Sequence, residues 1–134
     1  MANPNLFAST YAYGTTTYYT PSGTSAVVLL ANTSSSGKVY KINQIVAANT
    51  TGSAANVTVS VYSNGSVAQG SAPSGGTAYP VVSTVSVPAD ASLIVADKTT
   101  AIYLEEDKCI SVTSGTASGI TYSISYEEIG RAHV

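Results

Sequence analysis

Residues 119–129 read GITYSISYEEI. Ile120, Tyr122, Ile124 and Tyr126 alternate with Thr121, Ser123 and Ser125. Successive side chains on a strand point to opposite faces, so this period of two describes a strand with one buried and one polar face. Residues 56–65, NVTVSVYSNG, repeat the pattern: Val57, Val59 and Val61 point one way, Thr58 and Ser60 the other. Asn64-Gly65 then supplies a turn that accepts positive φ.

The other strand candidates lie on either side of these two. Residues 25–33, SAVVLLANT, form a continuous apolar run, as a strand buried on both faces would. Residues 38–50 place Tyr40, Ile42 and Val46 on one side. Residues 79–87 open on Pro80, which suits a strand start or an edge. Residues 92–98, 100–106 and 108–115 complete the set, separated by turn-rich stretches at 34–37, 51–54, 88–90 and 114–119. No window sustains apolar residues at helical spacing. The pattern predicts an all-β antiparallel β-sandwich, jelly-roll or Ig-like, of about 7–8 strands. One longer excursion, residues 66–78, reads as a flexible surface loop or a contact between subunits.

At 134 residues the chain is long enough for one core. It divides into an N-terminal aromatic arm (1–23), the sandwich (24–129) and a C-terminal tail (130–134). Charged residues make up only 9%, against about 25% in ordinary domains. Five Lys and Arg spread along the chain form no basic patch, which argues against nucleic acid as a partner. The first residues lack a secretory pattern and no apolar run reaches membrane-spanning length, so neither export nor a membrane is expected.

Candidate chemistry is sparse. Cys109 is the sole cysteine, which rules out an internal disulfide and reads as a small buried hydrophobe. The only histidine, His133, is next to last, so a Ser-His-Asp triad is not expected. Glu105, Glu106 and Asp107 read as solvated charges at a hairpin tip, and neither they nor Glu127 and Glu128 suggest a metal or glycosidase pair. No catalytic residue, cofactor or metal is expected. Four Asn-x-Ser/Thr sequences, at Asn32, Asn49, Asn56 and Asn64, carry little weight in so Ser/Thr-rich a chain.

The arm carries the candidate contact residues: Leu6, Phe7, Tyr11, Tyr13, Tyr18 and Tyr19. Ordering some twenty residues costs an entropy of the same order as these rings return on burial, so the arm needs a surface that accepts most of them. That surface is either its own sandwich, extended by extra strands, or another subunit. On the second placement, deleting residues 1–20 should weaken assembly and leave the sandwich folded.

The segments KVYKINQIVAANTTGSAANVTVSVY (38–62) and VPADASLIVADKTTAIYLEEDKCISVTSGTASGITYSISYEEI (87–129) resemble the small virion structural proteins of tailed bacteriophages, especially those of cyanobacterial and marine phages. The resemblance runs through a proline-initiated turn, an apolar strand ending in Asp-Lys, a charged hairpin and a closing SYEEI, over about residues 25–129. Where that group has Glu-Glu-Gly-Asp, this chain has Glu105-Glu106-Asp107-Lys108, without the glycine. The resemblance implies a non-enzymatic virion component, foremost a capsid decoration (cement) protein. It would bind the major capsid protein or other virion proteins and form a homo-oligomer, with a trimer favoured. The alternatives are a neck-, tail- or fibre-associated subunit, or a receptor- or glycan-binding adhesin module.

Overall fold

The computed structural model describes residues 9–131. They form nine strands: β1 (Ser9–Tyr19), β2 (Val27–Asn32), β3 (Lys38–Asn49), β4 (Ala55–Tyr62), β5 (Ala78–Val87), β6 (Ser92–Ala96), β7 (Ile102–Leu104), β8 (Lys108–Ser114) and β9 (Ile120–Arg131). A single 3-10 turn, Lys98–Thr100, separates β6 from β7 and is capped by Asp97. Every strand pairing is antiparallel.

The strands make two sheets. Sheet A runs β1-β9-β3, and β6 and β7 share the far edge of β3. Sheet B runs β2-β8-β4-β5. The pairs β1–β9, β2–β8, β3 with β6 and β7, and β4–β5 are nested, as in one long hairpin folded over on itself. Contacts β3–β9 and β4–β8 then close the wrap. Nested pairs shared between two sheets are the jelly-roll arrangement. It decides between the two sandwich types that the alternation left open.

The core fills the space between the sheets. Leu29, Ile42, Ile45, Val57, Val59, Ile110, Ile120, Tyr122 and Ile124 are fully buried there. The alternation of β4 and β9 places these side chains as their sequence predicts. Strand β3 departs from expectation. Its register shifts between Ile42 and Gln44, so Tyr40, Ile42, Ile45 and Ala47 face the core and Val46 faces outward. One extra residue in a strand reverses the parity of everything after it.

Strand β2 is buried on both faces, and the reason lies in residues 63–77. Leu29 and Leu30 join the main core, while Val28 packs with Tyr62 and Cys109 in a second cluster beneath Val67. Gly70 N–H donates to the Val28 carbonyl at 2.9 Å, and Val28 N–H donates to Ser71 O at 2.9 Å. Gln69 Nε2 donates to Leu29 O at 2.9 Å, and Tyr62 Oη accepts from Gly76 N–H at 2.9 Å. The excursion is therefore a surface loop laid over sheet B of its own chain, pinned to β2 and β4 by these hydrogen bonds and exposed on its outer side.

Burial holds the Cys109 thiol well above its ordinary 9.0, at about 11. Burial likewise raises Tyr122, against a lowering hydrogen bond from Ser114, and it raises Tyr126 with help from nearby Glu128. Each group binds its proton more tightly folded than unfolded, so its contribution is complete below the unfolded pKa and is lost as pH climbs through the folded one. Stability should therefore fall above about pH 9, seen as a lower urea midpoint at about pH 10.5 than at about pH 8. At neutral pH the Cys109 thiol should react with a disulfide reagent only after denaturant is added.

Candidate functional site

The arm is a strand. Residues Ser9–Tyr19 pair with β9, in unbroken register from Tyr11 opposite Gly130 to Tyr19 opposite Tyr122. Of the two placements open to it, the structure has the extra strand in the chain's own sheet. Tyr19 packs against the main core, and Thr20 Oγ1 shares a 2.9 Å hydrogen bond with Thr121 Oγ1. Removing residues 1–20 would take away the neighbour of β9 on one side and leave β3 on the other, so a truncation that keeps sheet A whole ends before Ser9. Tyr13 and Tyr18 are 58% and 65% exposed. Leu6, Phe7 and the side chain of Tyr11 lie outside the described residues, as do His133 and the rest of the tail beyond Arg131.

Strand β1 presents its two faces differently. Tyr18, opposite Ser123, and Thr16, opposite Ser125, belong to the outer face of sheet A. Thr16 Oγ1 and Ser125 Oγ share a hydrogen bond at 2.9 Å. One row crosses the whole outer face through Tyr18, Ser123, Val46 and Ile94. The next carries Thr16, Ser125 and Gln44. These two rows carry uncharged side chains only, with Tyr18 at one margin and Ile94, 59% exposed, at the other.

On the inner face, Thr17 joins Tyr40, Tyr126, Leu29 and Gln69 around a cleft of about 560 Å³ where β1 and β9 of sheet A part from β2 and its covering loop. The Tyr40 and Tyr126 rings lie 5.0 Å apart at 39°. A second concavity of about 410 Å³ lies beside the β3 bulge, between Asn43, Gln44, Asp97 and Ser125. Neither holds a cluster suited to a metal: among the described residues no group of three or more His, Cys, Asp or Glu comes together.

The acidic run is structural in a way its sequence hid. Glu106 is only 3% exposed, and its Oε2 accepts from Gly37 N–H at 2.7 Å. Asp107 Oδ1 accepts from Gly65 N–H at 3.2 Å. Two carboxylates therefore tie the β7–β8 turn to the β2–β3 turn and to the exit of β4, in place of the solvated hairpin tip expected. Asp107 itself stands at φ 60°, so an aspartate makes the left-handed turn without a glycine. Glu127 and Glu128 stay apart on adjacent positions: one accepts from Asn43 Nδ2 at 2.9 Å, the other meets Lys38 Nζ at 3.3 Å.

Two of the Asn-x-Ser/Thr asparagines are latches. The Asn32 carboxamide donates to Lys38 O at 3.0 Å and to Leu104 O at 2.9 Å. That of Asn49, at the opposite end of β3, donates to Ser53 O at 2.8 Å and Val87 O at 3.1 Å. Both are almost wholly buried, which removes them as sugar-attachment sites in the folded chain. Only a strand ending in a buried asparagine signals this role, and in a Ser/Thr-rich chain that signal is faint.

The chain matches no protein-family model, no curated protein and no solved structure.

Proposed function

We propose that this chain is a non-enzymatic structural protein of a phage virion, a capsid decoration subunit that stabilises the head by bridging neighbouring subunits. The observation that carries this reading is where the exposed rings lie. Tyr13 and Tyr18 on β1, Tyr79 on β5 and Tyr103 on β7 are at least half exposed, and all four sit on strands. Rings gathered among loops at one end would suit capture of a single small ligand. Rings spread along strand margins suit broad lateral packing, to which tyrosine brings apolar area and a hydroxyl at low entropic cost. A rigid sandwich that binds only the assembled lattice stabilises it by mass action.

The test is to mix purified protein with heads stripped of it and measure attachment. Saturable, stable binding, with hundreds of copies per particle, supports decoration. Protein that ignores heads and binds cell envelopes overturns it in favour of an adhesin. That second reading draws on the cleft, whose two tyrosines, Thr17 and Gln69 combine aromatic and polar groups in a volume of ligand size. A few copies per particle would place the subunit on the neck, tail or fibre.

A further inference from the structure

The two sheets have four margins, and three are guarded against pairing with another chain. The margin at β2 is occupied by Gly70 and Ser71, which exchange hydrogen bonds with Val28. That at β5 carries Pro80, which has no N–H, and two register shifts against β4. Thr84 also stands at φ 48° there, its N–H turned to Thr58 Oγ1. The far margin of β3 is split between β6 and β7, of five and three residues. Short edges, prolines, bulges and covering loops are the usual protection against edge-to-edge association.

Strand β1 has none of these among the described residues from Tyr11 onward; its single register shift lies at its start, between Ser9 and Tyr11. It is eleven residues long, ends the order of sheet A, and contains neither proline nor a charged residue. Its register with β9 is regular from Tyr11 to Tyr19. A strand of this kind is a template for another strand.

The sequence of β1 also selects its partner. A two-fold axis normal to the sheet pairs a strand antiparallel with its own copy and keeps outer side chains beside outer ones. Gly14, Thr16 and Tyr18 lie outward, while Thr15, Thr17 and Tyr19 lie inward. With the axis at Thr16, Tyr18 of each copy stands opposite Gly14 of the other. Over Gly14 the space is open: a Cβ there would meet nothing within 4 Å. An aromatic ring laid across an edge glycine is a recognised means of stabilising a sheet. An axis at Thr15 would put Gly14 opposite Thr16, and one at Thr17 would carry it past the end of the strand.

We propose that β1 is the contact strand of a two-fold homodimer, in which sheet A of one copy continues antiparallel into sheet A of the other about Thr16. This deepens the assembly reading above, and a self-complementary strand favours a two-fold pair over the expected three-fold ring. The contact adds backbone hydrogen bonds along β1 and places Tyr13 beside Tyr19 of the second copy on the inner face.

The full chain should sediment as a dimer, at twice its 13.6 kDa mass. Thr16→Lys sets like charges opposite one another on the axis and should raise the dimer dissociation constant by at least about tenfold, with the circular dichroism spectrum unchanged. Thr16→Cys should oxidise to a cross-linked dimer, because opposed residues on paired strands have the Cα separation a disulfide needs. Thr15→Cys and Thr17→Cys should not, and buried Cys109 adds no background. The cross-linking series stands even if the lysine variant fails to fold. A monomer at all concentrations overturns the proposal, as does a dimer that survives Thr16→Lys or cross-links equally from all three positions. So does a dimer that is lost on removing residues 1–8 and that never cross-links in the Thr16→Cys variant. A dimer that ignores phage heads sinks the decoration reading alone, and a monomer that binds them sinks this one alone.

Discussion

Gly65→Ala should lower the stability of the sandwich by about 3 kcal/mol, a drop in melting temperature on the order of 10 °C. Gly65 follows Asn64 just beyond β4, where the chain passes between the end of β2 and the start of β8. A Cβ on it would collide with the Asn32 carbonyl oxygen and would lie 2.6 Å from Lys108 N and 2.7 Å from Lys108 O. All three are backbone atoms of paired strands, held by the Asn32–Lys108 pairing itself. A flexible side chain could swing aside, but this ladder cannot move without losing hydrogen bonds. The same shift would pull Gly65 N–H from Asp107 Oδ1 and loosen the tie at that end of the molecule. Gly52→Ala is the control, because a Cβ there meets nothing within 4 Å and the position lies in a surface turn. Its effect should stay within about 0.5 kcal/mol. Equal melting temperatures for the two variants would show that the close approach at Gly65 does not exist in solution.

The case of Gly65 shows what the sequence conveys and what it conceals. Asn64-Gly65 reads as a turn because glycine tolerates unusual φ, yet Gly65 is required for closeness to a strand forty residues away. Local signals carried the strands: β4 and β9 alternate, and every turn except the two flanking β7 has its Gly, Ser, Asn or Pro. Non-local facts were not legible. The bulge at Asn43 leaves no mark in composition, and it alone turned Val46 outward and Ile45 inward. Glu106 is buried because the β2–β3 turn presents the Gly37 amide to it, a partner nearly seventy residues distant. The arm was readable as aromatic and uncharged, but whether its rings met this sandwich or another depended on β9 having an open side. The contact residues divide accordingly: Tyr19 is committed to the core, and Tyr13 and Tyr18 remain largely exposed.

Asn32→Asp should be the most damaging conservative change in the chain, costing about 3–5 kcal/mol near neutral pH. Asn32 is fully buried at the point where β2, the β2–β3 turn and the end of β7 meet. Its two amide hydrogens go to two carbonyls on different elements, Lys38 and Leu104, and its oxygen accepts from Ser36 Oγ at 2.6 Å. No other side chain of this shape offers two donors and an acceptor together. A carboxylate would keep the acceptor and turn oxygen lone pairs toward both carbonyls, in a fully buried place. Protonation restores one donor of the two, so the folded variant should hold its proton more tightly than the unfolded chain, whose pKa is about 3.9. A raised folded pKa means that the stability linked to the proton is complete below the unfolded value and is lost as pH rises above it. The gap between variant and parent in urea midpoint should therefore be smaller at about pH 4 than at about pH 7. Asn32→Ala should be damaged at both pH values alike, since alanine removes the donors and has nothing to titrate. A gap in Asn32→Asp that ignores pH would mean that the carboxylate reaches solvent instead of facing the Lys38 and Leu104 carbonyls.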